Sequence, residues 1–341
     1  STHGEGTQTF QGLFGQAKFA PLDALDITVS GRYDTYRIGD RINTRTLALS
    51  GATTGGALPA STKSAFNPSL AVRYDLNEQV SLRGATYKAF RAPGFNNLTR
   101  TFGTGTNTTI ANPDLVPEDL RGWELGGDYR KGGFSAGATY FLYNISNMIA
   151  TFTASGASAP QQVQTICGGP ALPNCGGSAK YYTNDQDGQS HGVELVANWE
   201  LRDNLVLSGF YTHTETYLTR RGAVVTDPLG VQLAGVPKNV ASLGATWKPR
   251  DKWQTYAELR YIGPMLLDTT SNGGMARFEQ GGNTIVNASA SYAWSKAVDL
   301  YANVVNLLDR EYTENPYNMN QPYNKVLSMP RAVNVGLRMR F

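Results

Sequence analysis

The sequence has little charge and no long apolar run. Charged residues make up 17% of its 341 residues, whereas a typical soluble protein has about a quarter. No stretch approaches the roughly 20 consecutive apolar residues that a membrane-spanning helix needs. The formal net charge of +3 is too small to indicate binding to nucleic acid. These absences argue against a helical membrane protein and against a nucleic-acid partner.

Cysteine and histidine are both scarce. The two cysteines, Cys167 and Cys175, lie close together in a segment rich in glycine and proline, and the histidines are scattered at His3, His191 and His213. The cysteine pair predicts a disulfide that closes a small extracellular loop in an oxidising compartment, with two free thiols as the alternative. With so few sulfur and imidazole groups, we expect no metal site and no cofactor.

Enzyme signatures are missing as well. The sequence has no His-Glu-x-x-His and no phosphate-binding loop. The segment from Asp185 to Gly188 resembles the start of a calcium-binding loop, but it lacks the later ligands and the distal glutamate. We therefore expect that the protein is not an enzyme.

Alternation of apolar and polar residues is the main pattern that is present, and the last ten residues show it most clearly. One face of that segment would carry Val333, Val335, Leu337, Met339 and Phe341. A period of two predicts a strand, either at the edge of a soluble sandwich or in a membrane barrel with one face toward lipid and one toward the lumen. For the barrel, the pattern predicts Val72 and Leu337 facing lipid, with Arg73 and Arg338 facing the lumen.

Aromatic residues recur just before short turns. The series is Phe19, Tyr74, Tyr129, Trp199, Trp247 and Trp294, and Phe341 ends the chain. Tyrosine and tryptophan suit a lipid–water boundary, so the series predicts one girdle at one end of every second strand. Short turns on one side and long polar loops on the other are typical of outer-membrane barrels, with the turns periplasmic.

The pattern predicts an all-β, antiparallel fold of about thirteen strands. The predicted strands are Thr7–Phe19, Leu25–Arg37, Ser69–Leu76, Val80–Phe90, Leu120–Lys131, Phe134–Thr151, Tyr181–Leu201, Leu205–Tyr217, Asn239–Trp247, Trp253–Ile262, Thr284–Trp294, Val298–Asn306 and Ala332–Phe341. The predicted long loops are Gly39–Thr62, Ala92–Glu118, Ala154–Ser178, Thr219–Lys238, Pro264–Asn283 and Leu307–Arg331. No linker divides the chain, so we expect a single domain over residues 1–341.

Five segments, in one order, carry a family resemblance. They are Tyr87–Leu98 with its Phe-Arg-Ala-Pro core, Asn112–Glu118, Gly192–Leu195, Asn303–Asp309 with Tyr312, and Pro330–Arg331 with Phe341. Their order and spacing resemble the TonB-dependent receptors, the energised transporters of Gram-negative outer membranes, although Leu308 replaces the usual phenylalanine. Proline restricts the backbone of two of these segments, so they are expected to shape loop entries. Arg91 and Glu118 are expected to pair inside the barrel.

The resemblance implies a transmembrane barrel of 22 strands, filled by an N-terminal plug. Nothing in this sequence resembles the plug or the TonB-contacting box. We therefore expect that residues 1–341 are the C-terminal portion of such a barrel in a Gram-negative outer membrane and that they do not close alone. The expected partners are outer-membrane lipid, the missing N-terminal barrel portion and plug, and the TonB complex acting through that plug. Phe341 resembles the aromatic terminus that the assembly machinery reads.

The implied function is energised uptake of a scarce, bulky nutrient, above all a ferric siderophore, bound by extracellular loops. Arginine and aromatic side chains suit a bulky, anionic chelate because they offer charge, stacking and cation–π contact. The candidate ligand-binding residues are Phe95, Phe102, Tyr217, Arg220, Arg221, Tyr312, Tyr317, Met319 and Tyr323. The alternative is a passive channel of about 14 strands, of the porin or fatty-acid type, which needs no plug.

Overall fold

The computed structural model describes residues 1–46, 51–103, 105–222, 228–271, 274–315 and 326–340. Its strands are β1 Thr2–Leu22, β2 Leu25–Thr46, β3 Thr53–Leu58, β4 Ser61–Asp75, β5 Val80–Arg91, β6 Thr109–Ile110, β7 Glu118–Lys131, β8 Phe134–Ser155, β9 Ser178–Arg202, β10 Leu205–Arg220, β11 Asn239–Trp247, β12 Trp253–Ile262, β13 Met265–Ser271, β14 Gly274–Gln280, β15 Asn283–Ala293, β16 Val298–Val305, β17 Thr313–Asn315, β18 Val326–Leu327 and β19 Ala332–Met339. Two short helices, α1 Phe95–Thr99 and α2 Gln161–Cys167, lie in the connections. None of the described helices is long and apolar enough to cross a membrane.

Thirteen of the described strands form one antiparallel meander. Their order is β1, β2, β4, β5, β7, β8, β9, β10, β11, β12, β15, β16 and β19. The short β3 pairs with β2, the short β6 runs parallel to β9, and β13–β14 and β17–β18 are separate hairpins. The predicted all-β fold is confirmed. Within the described residues β1 and β19 do not pair with each other, so they are the two ends of the sheet.

The largest departure from the predicted strands lies beyond the first turn. Gly39–Thr62 was expected to be a loop, but β2 continues to Thr46 and β4 already begins at Ser61. A β-bulge at Asp40, where φ is 52°, adds one residue to β2 and shifts its register against β1. As a result, Arg41, Asn43 and Arg45 lie on the same face as Ile38. The prediction was wrong because the buried residues after the bulge are polar and show no apolar alternation: Arg41, Asn43 and Arg45.

Cross-strand register defines two faces of the sheet. We call the face that carries Val72 the outer face and the face that carries Arg73 the inner face. The outer face passes from strand to strand through Tyr74, Leu82, Gly127, Ala138, Leu195, Tyr211, Ala241, Tyr261 and Thr284. Leu337 lies opposite Leu300 on this face, and Arg338 lies on the inner face. The predicted separation of Val72 and Leu337 from Arg73 and Arg338 is confirmed.

The aromatic repeat lies on the outer face, at the edge where the short turns are. Its six members are between 37% and 65% exposed: Phe19, Tyr74, Tyr129, Trp199, Trp247 and Trp294. Further rings extend the row, since the centroid of Phe134 is 6.2 Å from that of Tyr129 and 6.3 Å from that of Trp199. The predicted single girdle is therefore present on one face and at one edge.

The apolar core lies at the opposite edge, on the inner face. One cluster joins Ile38 of β2 to Leu98 and Leu115 of the connection between β5 and β7. A second cluster surrounds α2 and the loop-side ends of β8 and β9, with Ile110, Ala154, Ala159, Val163, Ile166, Cys167, Leu172, Cys175, Ala179 and Tyr181. The long connections thus fold over the inner face at the loop side, which positions the candidate site.

Candidate functional site at the loop side of the sheet

The connection between β5 and β7 carries two of the predicted ligand residues, and the structure gives them different environments. Phe95 begins α1 and packs against the Ile38–Leu98–Leu115 cluster. Phe102 is 38% exposed, and its backbone exchanges two hydrogen bonds with Thr109, of 3.0 and 2.7 Å. Phe95 is therefore a packing residue of this connection, whereas Phe102 is held with its ring accessible.

The segment from Asn112 to Glu118 is held against β9 by an asparagine that sequence reasoning missed. The Asn184 Oδ1 accepts from the Val116 N–H at 2.9 Å, and its Nδ2 donates to the Val116 carbonyl at 3.0 Å. The same Nδ2 donates to the Asn147 carbonyl at 2.7 Å. Asn112 adds a donation to the Tyr182 carbonyl at 2.9 Å. Asn184 therefore connects the proline-rich segment to both β8 and β9.

Glu118 completes this anchoring. Its Oε1 accepts from the Ile149 N–H at 2.7 Å, and its Oε2 is ion-paired with Arg91 on the neighbouring strand. Arg91 and Glu118 are direct cross-strand partners, so the predicted pairing is confirmed. Glu118 is 6% exposed, and a buried carboxylate is tolerated here because both oxygens have partners.

Two arginines of β2 are buried beneath the connections. Arg41 donates from Nη1 to the Pro113 carbonyl at 2.9 Å and from Nη2 to the Pro59 carbonyl. Arg45 donates from Nη1 to Thr108 Oγ1 and approaches Cys175 Sγ, both at 3.1 Å. Burial lowers the pKa of both guanidinium groups, and Asp114 opposes part of the shift of the Arg41 pKa. Both side chains therefore fasten loops to β2 and do not offer free charge to a ligand.

A disulfide-closed unit covers the end of β9. Cys167 and Cys175 are joined, with their Cα atoms 5.3 Å apart, and both are fully buried. The Thr54 hydroxyl on β3 donates to the Ile166 carbonyl at 2.8 Å, which ties the unit to β2 and β3. Burial raises the pKa of the Tyr181 hydroxyl in this cluster to about 12, and Asp114 adds to the rise. The unit is a small dry core attached to the inner face.

Two other predicted ligand residues lie on the outer face, apart from Phe95 and Phe102. Tyr217 donates its hydroxyl to Gln189 Oε1 at 2.5 Å. Arg220 forms two hydrogen bonds with the Asp187 carboxylate, at 2.6 and 2.9 Å, and hydrogen-bonding to that guanidinium holds the pKa of Asp187 below its usual range. Arg221 follows as an exposed residue at the end of β10.

The last connection contains Tyr312, whose carbonyl accepts from the Ser328 N–H at 2.8 Å and whose N–H donates to Ser328 Oγ at 3.2 Å. Its entry is shaped by Asn306, which is 2% exposed and has a φ of 53°. The Asn306 side chain donates to the Arg310 and Met329 carbonyls and accepts from the Arg310 N–H at 2.8 Å. The remaining predicted residues of this region, Tyr317, Met319, Tyr323 and Phe341, lie outside the described residues.

Within the described residues, no group of three or more histidine, cysteine, aspartate or glutamate side chains is placed to hold a metal ion. The motif residues Arg91, Asn112, Glu118 and Asn306 shape and anchor the loops. The structure thus places Arg91, Asn112 and Glu118 around one connection, whereas, among the described residues, the predicted ligand residues Phe95, Tyr217 and Arg220 lie on different faces. The alternating polar residues from Arg41 to Arg45 were the available sequence signal for the missed anchors on β2, and nothing in the sequence singles out Asn184.

Comparisons with known proteins agree with this fold. Residues 1–307 match the family model described as TonB dependent receptor-like, beta-barrel. An iron-regulated outer membrane virulence protein of Vibrio cholerae is 27% identical over 260 residues, which are 74% of this chain and 37% of that protein. The metal-pseudopaline receptor CntO of Pseudomonas aeruginosa is 24% identical over 261 residues, which are 75% of this chain and 31% of that protein.

A solved structure shows the same architecture. The ferric-catecholate import receptor Fiu of E. coli K12 matches 98% of this chain with a TM-score of 0.74 and 18% identity. The match covers 45% of the Fiu chain, so this chain spans less than half the length of the relatives it matches. TonB-dependent receptors are transporters and not enzymes. The family model covers most of the chain, and the sheet, the girdle and the anchored loops agree with it: the chain belongs to the TonB-dependent receptor family, within its β-barrel.

Proposed function

We propose that this chain forms part of the barrel of an outer-membrane receptor for energised uptake of a metal chelate, a ferric siderophore above all. The observation that carries the proposal is that long connections fold over the inner face at one edge of the sheet only. Connections that cover the inner face at one edge only are suited to form a binding site at the entrance of the barrel lumen. The V. cholerae relative is iron-regulated and CntO is a metal-pseudopaline receptor, which supports a chelated metal as the cargo.

Direct contact would come from the accessible aromatic and cationic residues of the connections. Phe102 and Arg221 are exposed among the described ones. Tyr312, Tyr317, Met319 and Tyr323 are the members of the last connection. Rings and guanidinium groups attract bulky anionic chelates, and their separation over several loops suits a ligand that several loops enclose. The buried arginines Arg41 and Arg45 hold the mouth in shape.

Uptake by cells that depend on the receptor containing this chain tests the proposal. Radiolabelled iron would be supplied as ferric catecholate, hydroxamate and carboxylate chelates, with and without a protonophore. We expect uptake of one chelate class to be lost on deletion of the receptor and to be abolished by the protonophore. Replacing Tyr312, Tyr317 and Tyr323 together by alanine should weaken that uptake while the amount of receptor in the membrane is unchanged. Deletion without effect on any chelate would overturn the proposed cargo.

A passive channel is the competing function, and the same experiment separates the two. A channel conducts without energy, so its transport would survive the protonophore and would not saturate at low ligand concentration. The family match over residues 1–307 favours the energised receptor.

A further inference from the structure

Two cations face each other on the outer face near the loop side. Lys88 of β5 lies directly opposite Arg121 of β7, and both are exposed. In the described part of the chain, no carboxylate lies within ion-pairing distance of either side chain. Like charges directly opposite each other on a sheet are destabilising. An anion held between them would remove this repulsion, so the pair has the character of an anion site.

The position of the pair along the strand places it at the edge of the apolar band. Trp123, two residues nearer the turn on the same face of β7, is 57% exposed, and Tyr129 marks the girdle at the turn. Arg121 is eight residues from Tyr129, about 26 Å along the strand. The outward apolar band of such barrels is about 25 Å tall, with strands tilted by 35–45°. At this tilt, about 26 Å along the strand corresponds to about 20 Å of height, so Lys88 and Arg121 lie about 5 Å below the loop-side boundary of that band, and their long side chains can reach the level of the lipid headgroups.

An apolar groove lies directly below the pair. It has a volume of about 340 Å³ and is lined on the outer face by Leu70, Val72, Gly84, Trp123, Leu125 and Tyr140. Gly84 contributes no side chain, and a Cβ atom there would be 3.6 Å from its nearest neighbour, the Glu124 carbonyl oxygen. The groove is therefore open because residue 84 is a glycine, and a larger side chain can fill it without a backbone clash.

A chain of side-chain hydrogen bonds, which we call the polar relay, begins beside the pair at Asn144 of the next strand, β8. Asn144 of β8 lies opposite Arg121, and its Oδ1 accepts from Gln189 Nε2 at 2.9 Å. The Tyr217 hydroxyl fixes Gln189 in turn, at 2.5 Å. This relay occupies the Asn144 oxygen and leaves its Nδ2 as a donor next to Arg121. Asp119, two residues further toward the loops on the same face, is the nearest carboxylate along β7 and is not ion-paired with either cation.

We propose that Lys88, Arg121 and the groove below them form a binding site for an anionic lipid. The phosphate of the headgroup lies between the two cations and accepts from Asn144, while one acyl chain occupies the groove beside Gly84. A basic residue at a membrane surface attracts an anionic headgroup, and the groove adds apolar contact in one defined place. The inference rests on the membrane placement in the proposed function but not on the cargo.

Lipid retention by the full receptor tests the site. The detergent-solubilised receptor would be titrated with bisphosphorylated lipid A, and bound lipid would be counted by native mass spectrometry. The same glycolipid without phosphates is the comparison. We expect the double substitution Lys88→Gln and Arg121→Gln to weaken binding roughly 10- to 30-fold and to abolish the preference for the phosphorylated form. Gly84→Leu, which leaves both cations in place, should weaken binding of both glycolipids.

The matched control is Lys248→Gln with Arg250→Gln, which removes two exposed cations from the turn between β11 and β12. It changes the net charge equally and should leave lipid A retention unchanged. Equal losses in the control and in the Lys88 and Arg121 double variant would overturn the site. Displacement of lipid A by 20 mM inorganic phosphate would mean that the site takes a free anion, which also overturns the proposal. Chelate uptake is measured in the same cells, so failure of the lipid site is distinguished from failure of the proposed function.

Discussion

The turn-side and loop-side halves of β2 carry their apolar residues on opposite faces of the sheet. Near the turn, Leu25, Ile27 and Val29 lie on the outer face and alternate with polar residues on the inner face. Near the loops, Tyr36 and Ile38 are 3% and 1% exposed on the inner face, while Arg37 is exposed on the outer face. One continuous strand therefore changes the face that it keeps from water. The reason is that the apolar surroundings of the strand change. Near the turn, its apolar side chains belong to the apolar band next to the girdle on the outer face. Near the loops, they pack beneath the connections that fold over the inner face.

The largest expected effect comes from placing a charge in the turn-side outer face. Leu195→Arg puts a guanidinium on that face of β9, four residues from Trp199 of the girdle. We expect a loss of about 2–4 kcal/mol in the free energy of unfolding, because an arginine near the middle of the apolar band meets lipid. Urea titration of the receptor in liposomes measures it.

Glu194→Arg is the control for this substitution, since residue 194 is the adjacent exposed position on the inner face. Its expected effect is smaller than 1 kcal/mol, as is usual for a solvated surface change. Equal losses from both substitutions would mean that the two faces of the turn-side half do not differ.

The second effect concerns the loop-side half alone. Replacing Cys167 and Cys175 by serine should lower the free energy of local unfolding of the disulfide-closed unit by about 2–3 kcal/mol. The reason is that a cross-link over a short loop restrains the unfolded segment. Hydrogen exchange should accelerate in α2 and β3, while β11 and β12 keep their protection. Ser158→Ala, an exposed change in the same connection, is the control. Unchanged protection of α2 in the double variant would contradict the role of the disulfide.

The third effect probes how the connections are attached to the wall. Asn184→Ala removes three hydrogen bonds from a half-buried position, and we expect about 1–3 kcal/mol of local destabilisation of the segment from Asn112 to Glu118. Faster hydrogen exchange at Val116 measures it. Asn198→Ala on the same strand is the control, since the Asn198 side chain makes no hydrogen bond within the described residues. If both variants behave alike, Asn184 does not anchor the loop.

The smallest effect belongs to the exposed ion pair on the loop-side outer face. Arg220→Gln should change stability by less than about 1 kcal/mol, because water and salt screen such pairs. Arg220 depresses the pKa of Asp187, so the pair contributes above the ordinary carboxyl pKa and is lost as the pH falls through the depressed value. Unfolding of the variant should therefore depend less on pH in the acidic range. A loss of more than about 2 kcal/mol in the free energy of unfolding would show that the Arg220–Asp187 pair also stabilises neighbouring parts of the structure.

Sequence reasoning was most successful for the turn-side half. There the outer residues are apolar and the inner ones polar, so period two and the aromatic repeat are both visible, as at Val72, Arg73 and Tyr74. On the loop side the buried residues of β2 include Arg41, Asn43 and Arg45, which do not show the apolar alternation of a strand. The two arginines hydrogen-bond to distant loops. Long-range partners of this kind, such as Asn184 for Val116, have no local pattern.

The predicted ligand residues illustrate the same limit. Loop aromatics and cations were chosen by residue type, yet Phe95 packs into a core and Tyr217 binds Gln189 on the outer face. Residue type indicates which contacts a side chain favours, but the face on which it lies depends on register and bulges. The pairing of Arg91 with Glu118 was predictable because both belong to recognisable segments at facing strand ends.

The reversal along β2 is tested most directly by spin labels at Val29 and Arg37, both on its outer face, in the full receptor in liposomes. Collisions with apolar oxygen and with a water-soluble nickel complex report whether each label is in lipid or in water. Collisions with oxygen are expected to dominate at Val29, and collisions with the nickel complex at Arg37. A label at Val29 that collides chiefly with nickel, or equal behaviour at the two sites, would contradict the membrane placement of the turn-side half.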